Sequence, residues 1–494
     1  MTLFPISVLV AAAAFWLTHG LWIHAVPGLH YDEAWAANFA ARIADGNGAF
    51  LPFEAQSPYT AAWGHYGAAL AFKLFGVSLA VFRISQILWV WLGSLLIAGA
   101  IGIRSGRRAS VAFLWLMASS LALVLNHRFA IDVNTFHVFC LGLMALGLAL
   151  WELMPALSCL LLGAGAWLGI TSHLAFLAPV LGLYAAVFFR GPWGRRIQWT
   201  VTALALLLLP RMIQIHQAIP EKDKVAVLIA GICAAAVLAW LQPRLVRLAS
   251  FARFRSVAGP VAAVGFALLL AIFVFFWEGH WTSRFFMGSI HLKALVGGNV
   301  LLLLILLAAR LHERGSLYRG SRTERDARDW FLGTLAFAAI VMVKPAGRYF
   351  ETSFVLFTAM LALTLSTISI ERARLWLVCF VLLGGLAIEE NYLRPGREYR
   401  QTDTDVRAWI FHDSTSDTLP KQEVAEFLAE NGCPRSVVQA QDPRLAESLD
   451  FLAKGDWELA SQPCSWSSVS LAREREAGKL DWIISRMGGL VLAR

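Results

Sequence analysis

Charged residues are scarce in this chain, and their scarcity excludes most classes of soluble protein. Only 15% of the 494 residues are charged, whereas 58% are hydrophobic and include 20 Trp and 32 Phe. A soluble domain carries about a quarter charged residues. Disorder, a secreted disulfide mini-domain and a soluble nucleic-acid binder are excluded. Apolar runs of about 18 or more residues recur instead, each long enough to cross a hydrocarbon core about 30 Å thick. The sequence therefore predicts a polytopic membrane protein.

Closely spaced cysteine pairs are also lacking. The chain has six Cys and no C-x-x-C pair, so a zinc or thioredoxin-type site has no support. Cys433 and Cys464 stand apart in a polar tail, and the sequence leaves open whether they form a disulfide. No internal repeat and no low-complexity tract is present.

The apolar runs predict about thirteen membrane spans. They lie near residues 3–23, 84–103, 109–125, 134–151, 156–171, 174–189, 197–213, 225–241, 258–277, 296–311, 330–344, 352–369 and 374–389. The basic clusters follow even-numbered spans, which predicts a cytoplasmic N-terminus by the positive-inside rule. The net charge of +9 is thus an orientation signal. The Arg-rich stretch 310–328 is interpreted as a solvated cytoplasmic linker.

This topology divides the chain into two predicted domains. Residues 1–390 form an all-α transmembrane domain, which begins with a retained signal anchor and has a long first external loop at 24–83. Residues 391–494 are polar and show short helix and strand patterns, so we expect a small external α/β domain. In a bacterial inner membrane that domain is periplasmic.

The most informative motif opens the first external loop, where Asp32 and Glu33 stand side by side. A short amphipathic helix follows, then a Pro-aromatic segment, Ser57-Pro58-Tyr59. The loop closes with a helix ending Lys73-Leu74-Phe75-Gly76 and with Arg83 leading into the second span. Taken alone, the acidic pair also fits the first turn of a helix, where the macrodipole favours negative charge.

These features resemble the GT-C class of membrane glycosyltransferases, which includes protein O-mannosyltransferases and the bacterial lipid A aminoarabinose transferase. The resemblance continues at Arg128-Phe129-Ala130-Ile131-Asp132, similar to the Arg-x-x-x-Asp of that class. It appears again at Gly347-Arg348-Tyr349-Phe350. About thirteen spans and an external C-terminal domain also match the aminoarabinose-transferase branch.

The resemblance implies an inverting transferase that moves a sugar from a polyprenyl-phosphate donor to a lipid, glycan or protein acceptor. A carboxylate suits the general base, and we assign that role to Asp32, with Glu33 as the alternative and Asp132 as an orienting or second acidic group. Cations must stabilise the departing phosphate. The candidates for binding the donor phosphate or substrate are Arg348, Tyr349, Arg128, Lys73, His65 and Arg284.

The sequence does not name the sugar or require a metal. Aminoarabinose transferases carry Glu-Lys-Pro in the first loop, whereas this chain has Glu54-Ala55-Gln56-Ser57-Pro58. A divalent metal would need Glu54, His65, His173 and His280 to converge, and no H-x-x-x-H spacing supports one. We therefore expect no required cofactor.

Other interpretations of the same residues stay open. Arg348 would also fit a snorkelling interfacial residue, and Arg128 with Asp132 would also fit an i, i+4 ion pair. At the level of the protein, the alternatives are a transporter or flippase and a non-catalytic subunit with a GT-C-like fold. The unequal loops and the position of the ionisable residues at span ends argue against a transporter.

Overall fold

The computed structural model describes residues 3–21, 23, 31–46, 63–188, 322–341 and 351–366, without the side chains of a few residues inside the helices. These residues form helices and short connections. The helices are α1 Leu3–Gly20, α2 Tyr31–Ala44, α3 Trp63–Phe75, α4 Leu79–Ser105, α5 Arg107–Ser119, α6 Leu121–Arg128, α7 Phe136–Leu150, α8 Pro155–Ser172, α9 Leu177–Phe188, α10 Arg322–Val341 and α11 Glu351–Leu365, with a 3₁₀ turn at Leu174–Phe176. The predicted α/β domain, the four predicted spans between 197 and 311 and the last span, 374–389, lie outside the described residues.

Two of the described helices, α4 and α8, are long and apolar enough to cross a membrane. The 27 residues of α4 extend about 40 Å at 1.5 Å per residue. Shorter apolar stretches occur at Pro5–Gly20, Phe136–Leu150 and Glu351–Leu365. Together with the composition of the whole chain, these helices indicate a membrane protein.

Glycine and serine set the short connections around α4. Gly76 ends α3 with a φ of +83°, a conformation that glycine adopts without steric cost. The hydroxyl of Ser78 then accepts a hydrogen bond from the Val81 N–H at 3.3 Å and caps the N-terminus of α4. Gly106, with a φ of +88°, separates α4 from α5. The predicted helix ending Lys-Leu-Phe-Gly, followed by a long apolar helix, is therefore confirmed.

The predicted single span at 109–125 is wrong, because the helix breaks at Ser120. That residue has extended backbone angles, φ −72° and ψ +105°, and it separates α5 from α6. The hydroxyl of the neighbouring Ser119 donates to the Trp115 carbonyl within α5. Serine hydroxyls compete with the backbone for hydrogen bonds, and serine pairs are common at such breaks. The break makes α6 a separate eight-residue helix.

The prediction of a solvated linker up to Arg328 is also wrong in its last part. Helix α10 begins at Arg322, eight residues before the predicted span. Its first turns pack against the protein: Glu324 is buried, and the Trp330 indole donates to the Pro179 carbonyl at 2.8 Å. Because these turns are rich in charged residues, the sequence did not predict that they belong to a helix, although that helix also buries apolar side chains such as Trp330 and Phe331.

Helix α4 lies at the centre of the described bundle, in contact with α5 and α7, while α7 also packs on α8. The contact between α4 and α7 is made by glycines. A Cβ atom at Gly93 would overlap the backbone of Val138 and Phe139, and one at Gly142 would lie 2.7 Å from the Gly93 carbonyl oxygen. Small residues at helix interfaces let two backbones approach closely.

Helices α2 and α3 pack on each other, and α3 packs on α4. The contact is built on alanines of α2, among them Ala34, Ala37 and Ala41, which face Ala68 and Phe72 of α3 in one buried cluster. The small side chains allow α2 and α3 to approach closely. The segment that opens with Asp32 and Glu33 is thereby held beside the N-terminus of α4.

The glycine contact between α4 and α7 is testable by a matched pair of substitutions. We expect Gly93→Ala to lower the free energy of unfolding by about 1–3 kcal/mol, because the new methyl group meets backbone atoms that cannot rotate away. Gly99, on the same helix, has nothing within 4 Å of its Cβ position. Gly99→Ala is the control and should stabilise by about 0.5–1 kcal/mol, since alanine is the better helix former. Thermal unfolding of the purified protein measures both, and equal effects would contradict the packing.

Candidate active site

A buried ion pair joins α2 to α4. Arg83 of α4 donates from Nε to Glu33 Oε1 at 2.6 Å and from Nη2 to Glu33 Oε2 at 2.7 Å, and both side chains are fully buried. The same guanidinium donates from Nη1 to the Ile23 carbonyl at 2.8 Å, and Glu33 Oε1 also accepts from the Ala130 N–H at 3.2 Å. This one ion pair thus connects α2, α4, the exit of α1 and the segment that follows α6.

Arg128 holds the end of α1. Its guanidinium is fully buried and donates to the Thr18 and Leu21 carbonyls at 2.9 and 2.7 Å. The last carbonyls of a helix have no partner within the helix, and a cation there also complements the macrodipole. Asp132 has a different partner, so the alternative of an i, i+4 ion pair between Arg128 and Asp132 is wrong.

His65 and Asp132 face each other between α3 and the start of α7. The His65 Nε2 lies 3.5 Å from Asp132 Oδ2, and both side chains are buried. A Cβ atom at Gly64 would overlap the Asp132 carboxylate, so a glycine is needed there for this approach. The Asp132 carbonyl accepts from the Thr135 and His137 N–H groups and forms the turn into α7.

The electrostatics of this pair are set by burial. Desolvation raises the pKa of the Asp132 carboxyl above its ordinary value, and the neighbouring His65 partly opposes that rise. Within the described part of the chain, His65 Nδ1, Asp132 Oδ1 and Asn134 Oδ1 are buried polar atoms without a hydrogen-bond partner. Buried polar atoms are normally paired, so this cluster has capacity for a ligand or for bound water.

The third motif, 347–350, lies outside the described residues, but the residue after it does not. Glu351 is the first residue of α11. Its carboxyl group accepts from Asn126 Nδ2 at 2.7 Å, and its other oxygen lies 2.7 Å from His127 Nε2. Helix α11 therefore begins against the second motif.

The predicted site residues fall into three groups. Glu33, His65, Asp132 and Arg128 meet at the end of the bundle where α1 and α6 end and where α2, α3, α4, α7 and α11 begin. Lys73 is exposed, about 12 Å along the axis of α3 from His65 at 1.5 Å per residue, and no described contact joins it to them. Asp32 is the second residue of α2. Its side chain, together with Arg348, Tyr349 and Arg284, lies outside the described part.

No metal ligand set forms among the described residues: nowhere do three His, Cys, Asp or Glu side chains lie in a suitable group. His173 packs against His137, and its Nδ1 accepts from the Ala175 N–H, so it does not join His65. Glu54 and His280 lie outside the described residues. That no metal is required stays a prediction.

Several residues that position the site were not predicted from the sequence. The sequence places Arg83 only at the entry to the second predicted span, but in the structure Arg83 is the ion-pair partner of Glu33. Asn126 and His127 stand directly before Arg128, and Glu351 directly after the third motif, so neighbouring motifs pointed to them. His19 lies inside an apolar run, where nothing in the sequence distinguishes it.

The ion pair is testable with an exposed pair as the control. Glu33→Gln leaves the Arg83 guanidinium buried without its counter-charge, so we expect the free energy of unfolding to fall by about 3–5 kcal/mol. Arg104 and Glu152 form an exposed pair at 3.1 Å between α4 and the turn after α7. Glu152→Gln should change stability by no more than about 1 kcal/mol. Similar losses in the two variants, measured by thermal unfolding, would show that burial of the pair is unimportant.

Burial of Asp132 gives a pH-dependent prediction. Because its pKa is raised in the folded state, the folded protein favours the protonated carboxyl and loses stability as the pH rises from the unfolded pKa, about 3.9, through the folded one. Asp132→Asn mimics the protonated form. We expect this variant to unfold at a higher temperature than the wild type at neutral pH, with a gap that closes towards the unfolded pKa. A variant that is less stable than the wild type at neutral pH would contradict the prediction.

Comparisons with known proteins yield structural likenesses only. No protein-family model and no curated protein matches the chain. Among solved structures, the chain is similar to ArnT from Cupriavidus metallidurans in the apo state, with a TM-score of 0.42 and 14% identity. It is also similar to the same protein bound to undecaprenyl phosphate, with a TM-score of 0.43 and 15% identity. Each of these two matches covers 91% of this chain and 74% of that chain. It is also similar to the archaeal oligosaccharyltransferase AglB from Archaeoglobus fulgidus, in complex with an inhibitory peptide and a dolichol-phosphate, with a TM-score of 0.46, 14% identity and coverage of 100% of this chain and 64% of that chain. Both are GT-C glycosyltransferases, the class that the sequence motifs resemble.

Proposed function

We propose that the protein is an inverting glycosyltransferase that moves a sugar from a polyprenyl-phosphate donor to a lipid, glycan or protein acceptor. The observation that supports it most is the convergence of separate motif segments. The first turn of α2, the start of α3, the segment after α6 and the start of α11 meet at one end of the described bundle.

Asp32 is the general base of this proposal. The acceptor hydroxyl or amine gives its proton to the Asp32 carboxylate as its oxygen or nitrogen attacks the anomeric carbon. The bond from that carbon to the phosphate oxygen breaks with inversion, and the bonding electrons leave with the polyprenyl phosphate. Both oxygens of Glu33 accept N–H bonds from Arg83. This favours Asp32 over Glu33 as the base and gives Glu33 a positioning role.

The leaving phosphate requires positive charge at the same end of the bundle. We propose Arg348 as its main ligand, with Tyr349 beside it and with Arg128, Lys73, His65 and Arg284 as further candidates. A guanidinium suits this role because its planar fork binds two phosphate oxygens at once. Glu351, directly after the Arg348 segment, binds residues that precede Arg128, which supports a shared location for the two arginines.

The buried pair of His65 and Asp132 supports a second acidic role in the same site. A carboxyl group whose pKa is raised by burial exchanges a proton more readily near neutral pH than an exposed one does. We propose that Asp132 orients the acceptor or the base. No metal is part of this mechanism.

The proposed location is a bacterial inner membrane, with the site at the external face. We place the N-terminus in the cytoplasm and residues 391–494 in the periplasm, where that domain would shape access for the acceptor. The donor would enter laterally from the bilayer because its lipid chain is already there.

Release of polyprenyl phosphate by the purified protein tests the function and the base together. The reaction would contain a panel of polyprenyl-phosphate sugars with membrane extract as acceptor. We expect Asp32→Asn to lose about 100-fold or more of the turnover, the contribution of a positioned base, while donor binding persists. Asp45, exposed at the far end of the same helix region, provides the control Asp45→Asn, which should turn over as the wild type does. Full turnover in Asp32→Asn would move the base elsewhere.

A further inference from the structure

A chain of buried side chains links the start of α11 to α6 and α1. The Glu351 Oε1 lies 2.7 Å from His127 Nε2, and the His127 Nδ1 lies 3.0 Å from His19 Nε2. The His19 Nδ1 lies 2.9 Å from the Phe15 carbonyl oxygen. Both histidines are fully buried and Glu351 is 1% exposed.

The carbonyl at the end of this chain fixes where the hydrogens sit. A carbonyl oxygen only accepts, so His19 Nδ1 must carry a hydrogen; otherwise two lone pairs would face each other at 2.9 Å. The Thr18 hydroxyl, 3.1 Å from the same nitrogen, has main-chain carbonyls of its own to donate to, at Ala14, Phe15 and Ala118. It is therefore free to accept from His19.

The contact between His19 and His127 and the contact between His127 and Glu351 then need one hydrogen each. The number of protons shared by the three side chains is therefore fixed. If His19 is neutral, its Nε2 accepts from His127 Nδ1–H, and His127 Nε2 in turn accepts from a protonated Glu351. Moving one proton from Glu351 to His127, or two along the chain to His19, gives charged forms with the same number of protons. The net charge of the three side chains is zero in every case.

Burial favours the form without separated charges. Charged groups taken out of water lose their solvation, and a buried ion pair recovers that loss only partly. The buried guanidinium of Arg128, which donates to the carbonyl of the adjacent Thr18, also opposes a positive charge on His19. The second Glu351 oxygen accepts from the Asn126 amide at 2.7 Å, a bond that is stronger to a carboxylate but that the carbonyl oxygen of a neutral carboxylic acid also makes.

We propose that Glu351 is a neutral carboxylic acid that donates to His127, and that this uncharged, one-directional chain positions the start of α11 against α6 and α1. Glu351 is then a positioning residue for the transferase reaction, and this part of the inference rests on the proposed function. It acts on the fold around the leaving-group arginines rather than on the sugar itself.

Replacement of Glu351 by glutamine distinguishes a neutral carboxylic acid from an ion pair with His127. The amide introduced by Glu351→Gln keeps the geometry of the side chain, donates from its nitrogen to His127 and accepts from Asn126, so this variant reproduces the neutral acid. Glu351→Ala removes both contacts. We expect Glu351→Gln to keep kcat within about twofold of the wild type, and Glu351→Ala to lose about tenfold or more through misplacement of groups in the site. If Glu351→Gln loses as much as Glu351→Ala, the inference is wrong.

Infrared spectroscopy gives a readout that requires no turnover. The wild type should show the carbonyl stretch of a protonated buried carboxylic acid at neutral pH. Glu351→Gln should lose that band, and Glu152→Gln, at an exposed glutamate, should keep it. Absence of the band from the wild type, or its survival in Glu351→Gln, would overturn the neutral acid. If no donor turns over, the band and the unfolding temperatures of the Gln and Ala variants still decide the charge state, so failure of the proposed function stays distinguishable.

Discussion

The buried pairing of Glu33 with Arg83 is the constraint on which the arrangement of the site depends. Taking two charges out of water is unfavourable, and a buried pair is tolerated only when further hydrogen bonds complete both groups. Here the Ile23 carbonyl and the Ala130 N–H supply such bonds. The ion pair and these bonds add little net stability, but they restrict α2 to one position along α4. Any shift of α2 would leave a buried charge unpaired.

The apolar contacts of the bundle do not provide that precision by themselves. Glycines bring the backbones of α4 and α7 together at Gly93 and Gly142, which sets how closely the helices approach. Hydrogen bonds between helices add to this packing and favour one axial register over its neighbours. Arg128 on the α1 carbonyls and Glu351 on Asn126 are such bonds. They lie at the same end of the bundle as the ion pair, so this end is the most tightly specified part of the described structure.

The sequence predicted local features well and long-range partners poorly. The end of α3 at Gly76 and the start of α2 near Asp32 follow from turn glycines and amphipathic spacing, which act over a few residues. The break at Ser120 did not follow, because an apolar average over a span hides one extended residue. The partner of Glu33 lies 50 residues away, and His19 is a single polar residue in an apolar helix. Which distant groups meet depends on packing that no local pattern records.

The neighbouring residues Asp32 and Glu33 have different places on helix α2 for a geometric reason. Residues i and i+1 of a helix do not face the same way, so one pair of adjacent acids cannot both enter one ion pair. Glu33 takes the interior position and pairs with Arg83, which is why we propose Asp32 as the base. The same division recurs at the second motif, where Arg128 is engaged by α1 while Asp132 retains a carboxylate oxygen without a partner among the described residues. At each motif one charged residue holds neighbouring elements of the fold together, and we propose that its acidic neighbour acts on the substrate.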